Sequence, residues 1–95
     1  MTYIDDARDA LLTQYPALVH KPGLANLYLL LVLVKGEDVT LQDVHDAWAV
    51  WKSKIHPGHT NLVPFGELSP ETQAKDAAYA DGIAAAAHAL KEPPA

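Results

Sequence analysis

Three histidines stand where side-chain chemistry could occur: His45, His56 and His59. His45 has Asp46 beside it and Asp43 close by, with Lys52 two helical turns on. It can therefore contact a ligand or exchange a proton near neutral pH. The alternative is a partly buried histidine at the edge of the core, bonded to the backbone of a following loop. His56 and His59 bracket Pro57-Gly58. A rigid turn of that kind can present two imidazoles to a metal, but no helical i, i+4 pair or nearby carboxylate pair completes the site. Ser53, Thr60 and Ser69 lie in nothing like a nucleophile elbow, and no glycine-rich phosphate loop is present. The expectation is a binding protein and not an enzyme, with no catalytic residue, no cofactor and no metal.

The large aromatics Trp48, Trp51, Phe65 and Tyr79 gather around the same region of sequence. Trp48 and Trp51 fit a buried helical stripe, although one of them can instead form the edge of a pocket. Aromatic faces near Lys52, Lys54 and Lys75 suit a flat anionic ligand such as a nucleotide. Lys75-Asp76 reads either as solvated surface or as a site where Asp76 hydrogen-bonds the backbone of a folded loop.

Four helices must position these groups, which makes the fold class all-α: a compact four-helix domain with a long ordered Pro/Gly loop between the third and fourth helices. The first helix is expected from about Tyr3 to Tyr15, with Thr2 and Asp5 in capping-box positions. Ile4, Ala7, Leu11 and Tyr15 form its apolar face, and Pro16 ends it. The second runs from about Pro22 to Lys35, with Gly36 after its C-terminus. Its leucines and valines surround the axis, so it is either buried on all sides or covered by a second chain. In a chain this small that hints at a homodimer.

The third helix is expected from about Leu41 to Ile55, capped by Thr40 and Asp43. Its core stripe is Leu41, Val44, Trp48, Trp51 and Ile55. The fourth starts with Ser69 as cap and Pro70 at its first position, and continues to about Leu90. Its inner face is Tyr79, Ile83, Ala86 or Ala87, and Leu90, with a frayed tail from Glu92 to Ala95. Between the two lies HPGHTNLVPFGEL, His56 to Leu68. Its prolines and glycines forbid continuous helix, yet Leu62, Val63, Phe65 and Leu68 are too apolar for a solvated linker. The loop must pack back on the helices, and ordered loops of this length are often functional.

Composition bounds the rest. The chain has 95 residues, 49% of them apolar and 20% charged, a globular mix that fits one domain, 1–95. It contains no cysteine, which fits a reducing cytoplasm. Twelve acidic residues against seven basic leave a net charge of −5, with the lone Arg8 set among Asp5, Asp6 and Asp9. A phosphate backbone needs clustered Lys and Arg, so nucleic acid is not an expected partner. The N-terminus lacks the pattern of a signal peptide. The apolar run from Leu24 to Val34 spans eleven residues, where a membrane crossing needs about twenty.

Three segments together resemble the RyR domain, the repeat of ryanodine receptors: HDAWAVWKSK (His45 to Lys54), HTNLVPFGEL (His59 to Leu68) and SPETQAKDAAY (Ser69 to Tyr79). The similarity covers residues 44–83, about half the chain, with 1–36 as an N-terminal helical pair and 40–91 as the RyR-like core. The family's insert before the loop is missing, and Ala77 stands where its arginine follows the Lys-Asp step. The first two helices are similar to those of small stand-alone proteins of actinobacterial phages. The resemblance implies an α-helical fold without catalytic activity that recognises a small anionic or nucleotide-type signal. Its site would lie between the third helix and the loop, with His45, Trp48, Lys52, His59, Asn61, Pro64, Phe65, Lys75 and Tyr79 as contacts. The competing expectation is an accessory protein that binds a host protein or a second copy of itself and takes no small ligand.

Overall fold

Local capping chemistry sets where the helices begin. Thr2 Oγ1 accepts the Asp5 N–H at 3.2 Å and Asp5 accepts the Thr2 N–H at 3.1 Å. This reciprocal pair opens helix α1, Tyr3–Gln14. Thr40 and Asp43 repeat the arrangement at 3.0 and 3.1 Å and open α3, Leu41–Ile55. Helix α2, Pro22–Val34, starts on a proline, and Gly36 follows its C-cap with φ of 58°, a left-handed turn that suits glycine. Helix α4, Pro70–Lys91, begins where Ser69 Oγ accepts the Thr72 N–H at 3.2 Å. The computed structural model describes residues 2–91, so the expected fraying of Glu92 to Ala95 lies outside them.

The four helices enclose one apolar cluster. Ala7 and Leu11 of α1, Leu24, Tyr28, Leu29 and Val32 of α2, Val44 of α3, and Ala80, Ile83, Ala86 and Ala87 of α4 meet there. Helix α4 packs on each of the other three, α1 foremost. Its small buried residues, alanine and Gly82, let neighbours approach closely. Between α1 and α2 the chain makes a 3-10 turn, Pro16–His20, whose Leu18 is buried in the cluster. No helix among the described residues is long and apolar enough to cross a membrane.

Two expected core residues are exposed. Ile55 is 61% and Leu90 41% exposed. Each sits in the last turn of its helix, beyond Trp51 and Ala87, where the enclosing cluster has ended. Helix α2 is covered on one side only: Leu30, Leu33 and Val34 face outward. The loop from His56 to Leu68 does pack back. Leu68 is buried, Leu62, Val63 and Phe65 are half-buried, and a short 3-10 turn spans Phe65–Glu67.

Candidate functional site

The flank of α3 beside the core position Val44 carries His45, Trp48 and Trp51, spaced so that a helix sets them on one face. Thr72, Lys75, Asp76 and Tyr79 share one face of α4 by the same rule. The start of α2 adds Leu24 and Tyr28, with Lys21 just before it, and the loop adds His59 and Asn61. These twelve side chains line a cleft of about 260 Å³, slightly below the usual range of small-ligand pockets.

Its aromatic walls are ordered by ring contacts. Tyr15, outside the cleft, lies 4.9 Å from Tyr79 between ring centres, and Tyr79 lies 5.4 Å from Tyr28. His45 stacks on Trp48 at 5.7 Å, and His59 meets the same indole edge-on at 5.2 Å. Trp51 lies against Gly23, where a Cβ would sit 3.1 Å from its ring. The ammonium groups of Lys21 and Lys52 stand 5.9 and 5.4 Å from the Trp51 ring centre, within cation–π range. Both tryptophans are half-buried. They pack on the core with one part and wall the cleft with another.

His45 is the one buried polar residue of the described core, at 2% exposure. Its Nε2 lies 2.7 Å from the Val63 carbonyl oxygen. That oxygen can only accept, so Nε2 carries the proton and α3 holds the loop backbone through it. On the other side, His45 Nδ1 faces Asp76 Oδ2 at 3.9 Å, too far for a hydrogen bond. Oδ2 is buried with no hydrogen-bond partner. Burial raises the Asp76 carboxyl above its ordinary range, and the nearby His45 offsets this only in part. Burial likewise pushes the Tyr28 hydroxyl well up, helped by Tyr79 and Asp76. His59 Nδ1 accepts the Asn61 N–H at 3.0 Å, which leaves Nε2 of the neutral ring as a donor. Among the described residues no group of three His, Asp or Glu could hold a metal ion.

Of the residues singled out from sequence, His45, Trp48, His59, Asn61, Lys75 and Tyr79 come together in this cleft. Lys52 stands beside it on Trp51. Pro64 lines a separate shallow groove between α3 and the loop, and Phe65 packs toward His45 at 6.2 Å. His45 is bonded to the loop backbone as its structural alternative describes, but it is buried and not partly buried. Asp76 faces His45, and no loop N–H reaches its Oδ2.

Sequence reasoning missed Lys21, Leu24, Tyr28 and Thr72. Thr72 shares a helical face with Lys75, Asp76 and Tyr79, so periodicity could have found it. Nothing local marks Lys21 or Tyr28, because α2 is apolar all round and its pattern does not say which side meets α3.

The chain belongs to the DUF7701 family, a domain of unknown function whose model matches residues 2–88. No curated protein and no solved structure matches it. This corrects the RyR resemblance, and with it the likeness to stand-alone phage proteins: the matching family is DUF7701, and no RyR repeat is detected. Packing accounts for the segments that suggested it. Val44 and His45 are the buried positions of α3, Leu62 to Leu68 fold back over that helix, and Ser69-Pro70 start α4.

Proposed function

We propose that this chain is a non-enzymatic binding module of the cytoplasm whose cleft takes a small, flat, anionic ligand of the nucleotide type. The observation that carries the reading is the joining of aromatic walls from two helices, α3 and α4, with lysines at the rim. Trp48, Trp51 and Tyr79 offer ring faces, while Lys21 and Lys75 bring positive charge to the same opening. Such a lining stacks a planar group and neutralises an anion attached to it. The His45–Asp76 pair argues for binding over catalysis, because the Nε2 proton of His45 is committed to the Val63 carbonyl.

A thermal-shift screen of nucleoside mono- and diphosphates tests this. A ligand at a hundredfold excess over its Kd adds about 2.7 kcal/mol of stability. In a domain of this size the midpoint rises by roughly ten degrees or more. Lys21→Ala with Lys75→Ala should abolish the shift and leave helicity unchanged. A shift that survives the double substitution moves the site elsewhere.

The outward face of α2 favours a second reading, a protein–protein accessory role with a second copy of this chain as the partner. Leu30, Leu33 and Val34 are 52%, 38% and 64% exposed on adjacent turns, and apolar surface of that kind is commonly covered by another chain. Sedimentation of the wild type against Leu30→Glu separates the cases: a dimer that dissociates on substitution supports this reading, and a monomeric wild type removes it.

A further inference from the structure

We infer that Asp76 reads the ring edge of the ligand and selects a guanine-type base, an inference that rests on the nucleotide reading above. Asn61, Thr72, Tyr28 and Tyr79 carry groups that both donate and accept, and the other polar groups around the cleft are unevenly divided. Lys21 and Lys75 can only donate hydrogen bonds, and the neutral His59 donates from Nε2 because the Asn61 N–H occupies Nδ1. Asp76 is the one carboxylate in the lining. Ionised, it is acceptor-only with room for about four hydrogen bonds, yet no donor reaches Oδ2. His45 Nδ1 stands 3.9 Å away, beyond bonding reach. The side chain keeps 14% of its surface open while lining the cleft. Oδ2 is buried on the His45 side, so the carboxylate must turn about its soft terminal torsion for both oxygens to meet a donor pair.

Ring chemistry decides which ligand meets that demand. A guanine edge sets N1–H and the 2-amino group side by side, two donors matched to two carboxylate oxygens. Adenine and cytosine place one amino donor beside a ring nitrogen acceptor, and uracil places its N–H between two carbonyls. A carboxylate would face a lone pair in each of these. Hypoxanthine keeps N1–H and loses the amino group. With the base against Asp76 and between the aromatic walls, the phosphate falls to the lysines at the rim.

The test is calorimetric titration of guanosine, inosine, adenosine and xanthosine monophosphates into the wild type, Asp76→Asn and Lys75→Ala. Wild type should bind the guanosine nucleotide about tenfold or more tighter than the inosine and adenosine ones, the discrimination of one bidentate pair. In Asp76→Asn that preference should vanish and pass to xanthosine, whose 2-carbonyl accepts from an amide. In Lys75→Ala all affinities should fall together with the guanosine preference intact, and far-UV circular dichroism should show both variants folded. Equal binding of all four nucleotides, or a guanosine preference that survives Asp76→Asn, overturns this inference and leaves the nucleotide reading standing. Absence of binding by every nucleotide overturns both.

Discussion

Gly82→Ala should destabilise the protein in the wild-type background and stabilise it when Tyr15 is also truncated. Gly82 is buried in α4, and a Cβ built there would run into the far edge of the Tyr15 ring. Elsewhere in a helix interior the same change gains about 1 kcal/mol from propensity. Here the ring must swing away, and three contributions go with it. The Tyr15 hydroxyl donates to the Ala78 carbonyl, a bond with a net contribution of about 1 kcal/mol. Its tilted contact with Tyr79, 4.9 Å between centres, contributes about 0.5–1.5 kcal/mol. Half-burial of the ring adds about 1 kcal/mol more.

Set against the propensity gain, the net loss is about 2 kcal/mol, or roughly ten degrees in Tm for a domain of this size. Urea unfolding followed by circular dichroism at four corners of the Gly82→Ala and Tyr15→Ala cycle measures it, with coupling of about 2–3 kcal/mol expected. Equal effects of Gly82→Ala in both backgrounds would refute the steric argument. Because Tyr79 walls the cleft, the single variant should also weaken any ligand bound there.

Other perturbations follow from the same geometry. Asp76→Asn should stabilise the protein at neutral pH by about 1–2 kcal/mol, since it removes a buried carboxylate oxygen without a donor. Burial raises the Asp76 carboxyl despite His45, so its stabilising contribution is full below the ordinary value of 3.8 and is lost as pH rises through the raised value. The advantage of Asp76→Asn should therefore grow with pH; a variant less stable than wild type at pH 7 would mean that a charged His45 holds the carboxylate as an ion pair. Burial also raises Tyr28 above its ordinary 10.0, so the folded state keeps a proton that the unfolded state gives up. Stability should fall as pH climbs past about 10, and Tyr28→Phe should flatten that decline in alkaline melts. Thr40→Ala breaks the capping box of α3 and should cost about 1 kcal/mol; a change below about 0.3 kcal/mol in urea unfolding would show that α3 begins independently of its cap.

Much of the secondary structure was legible from sequence because helix ends are decided by neighbours a few residues apart. Thr2 with Asp5, Thr40 with Asp43, Pro22 with Gly36 and Ser69 with Pro70 each satisfy backbone groups or preset a dihedral angle locally. The helices they predict agree with the observed ones to within a residue. The 3-10 turn at Pro16–His20 escaped, because its Leu18 acquires a role only when α1 and α2 have packed.

The cleft was half legible. Helical spacing places His45 with Trp48, and Lys75 with Tyr79, on shared faces, and the apolar loop had to fold over them. Tertiary packing decided the rest. It made His45 a buried strut to Val63, left Ile55 and Leu90 in water, turned Trp48 and Trp51 into walls, and brought Lys21 and Tyr28 across from α2. It also set Asp76 against a histidine 31 positions away, near enough to feel its charge and too far to share a hydrogen bond. Periodicity says which residues share a helix face; only the angle and separation of packed helices say what that face meets.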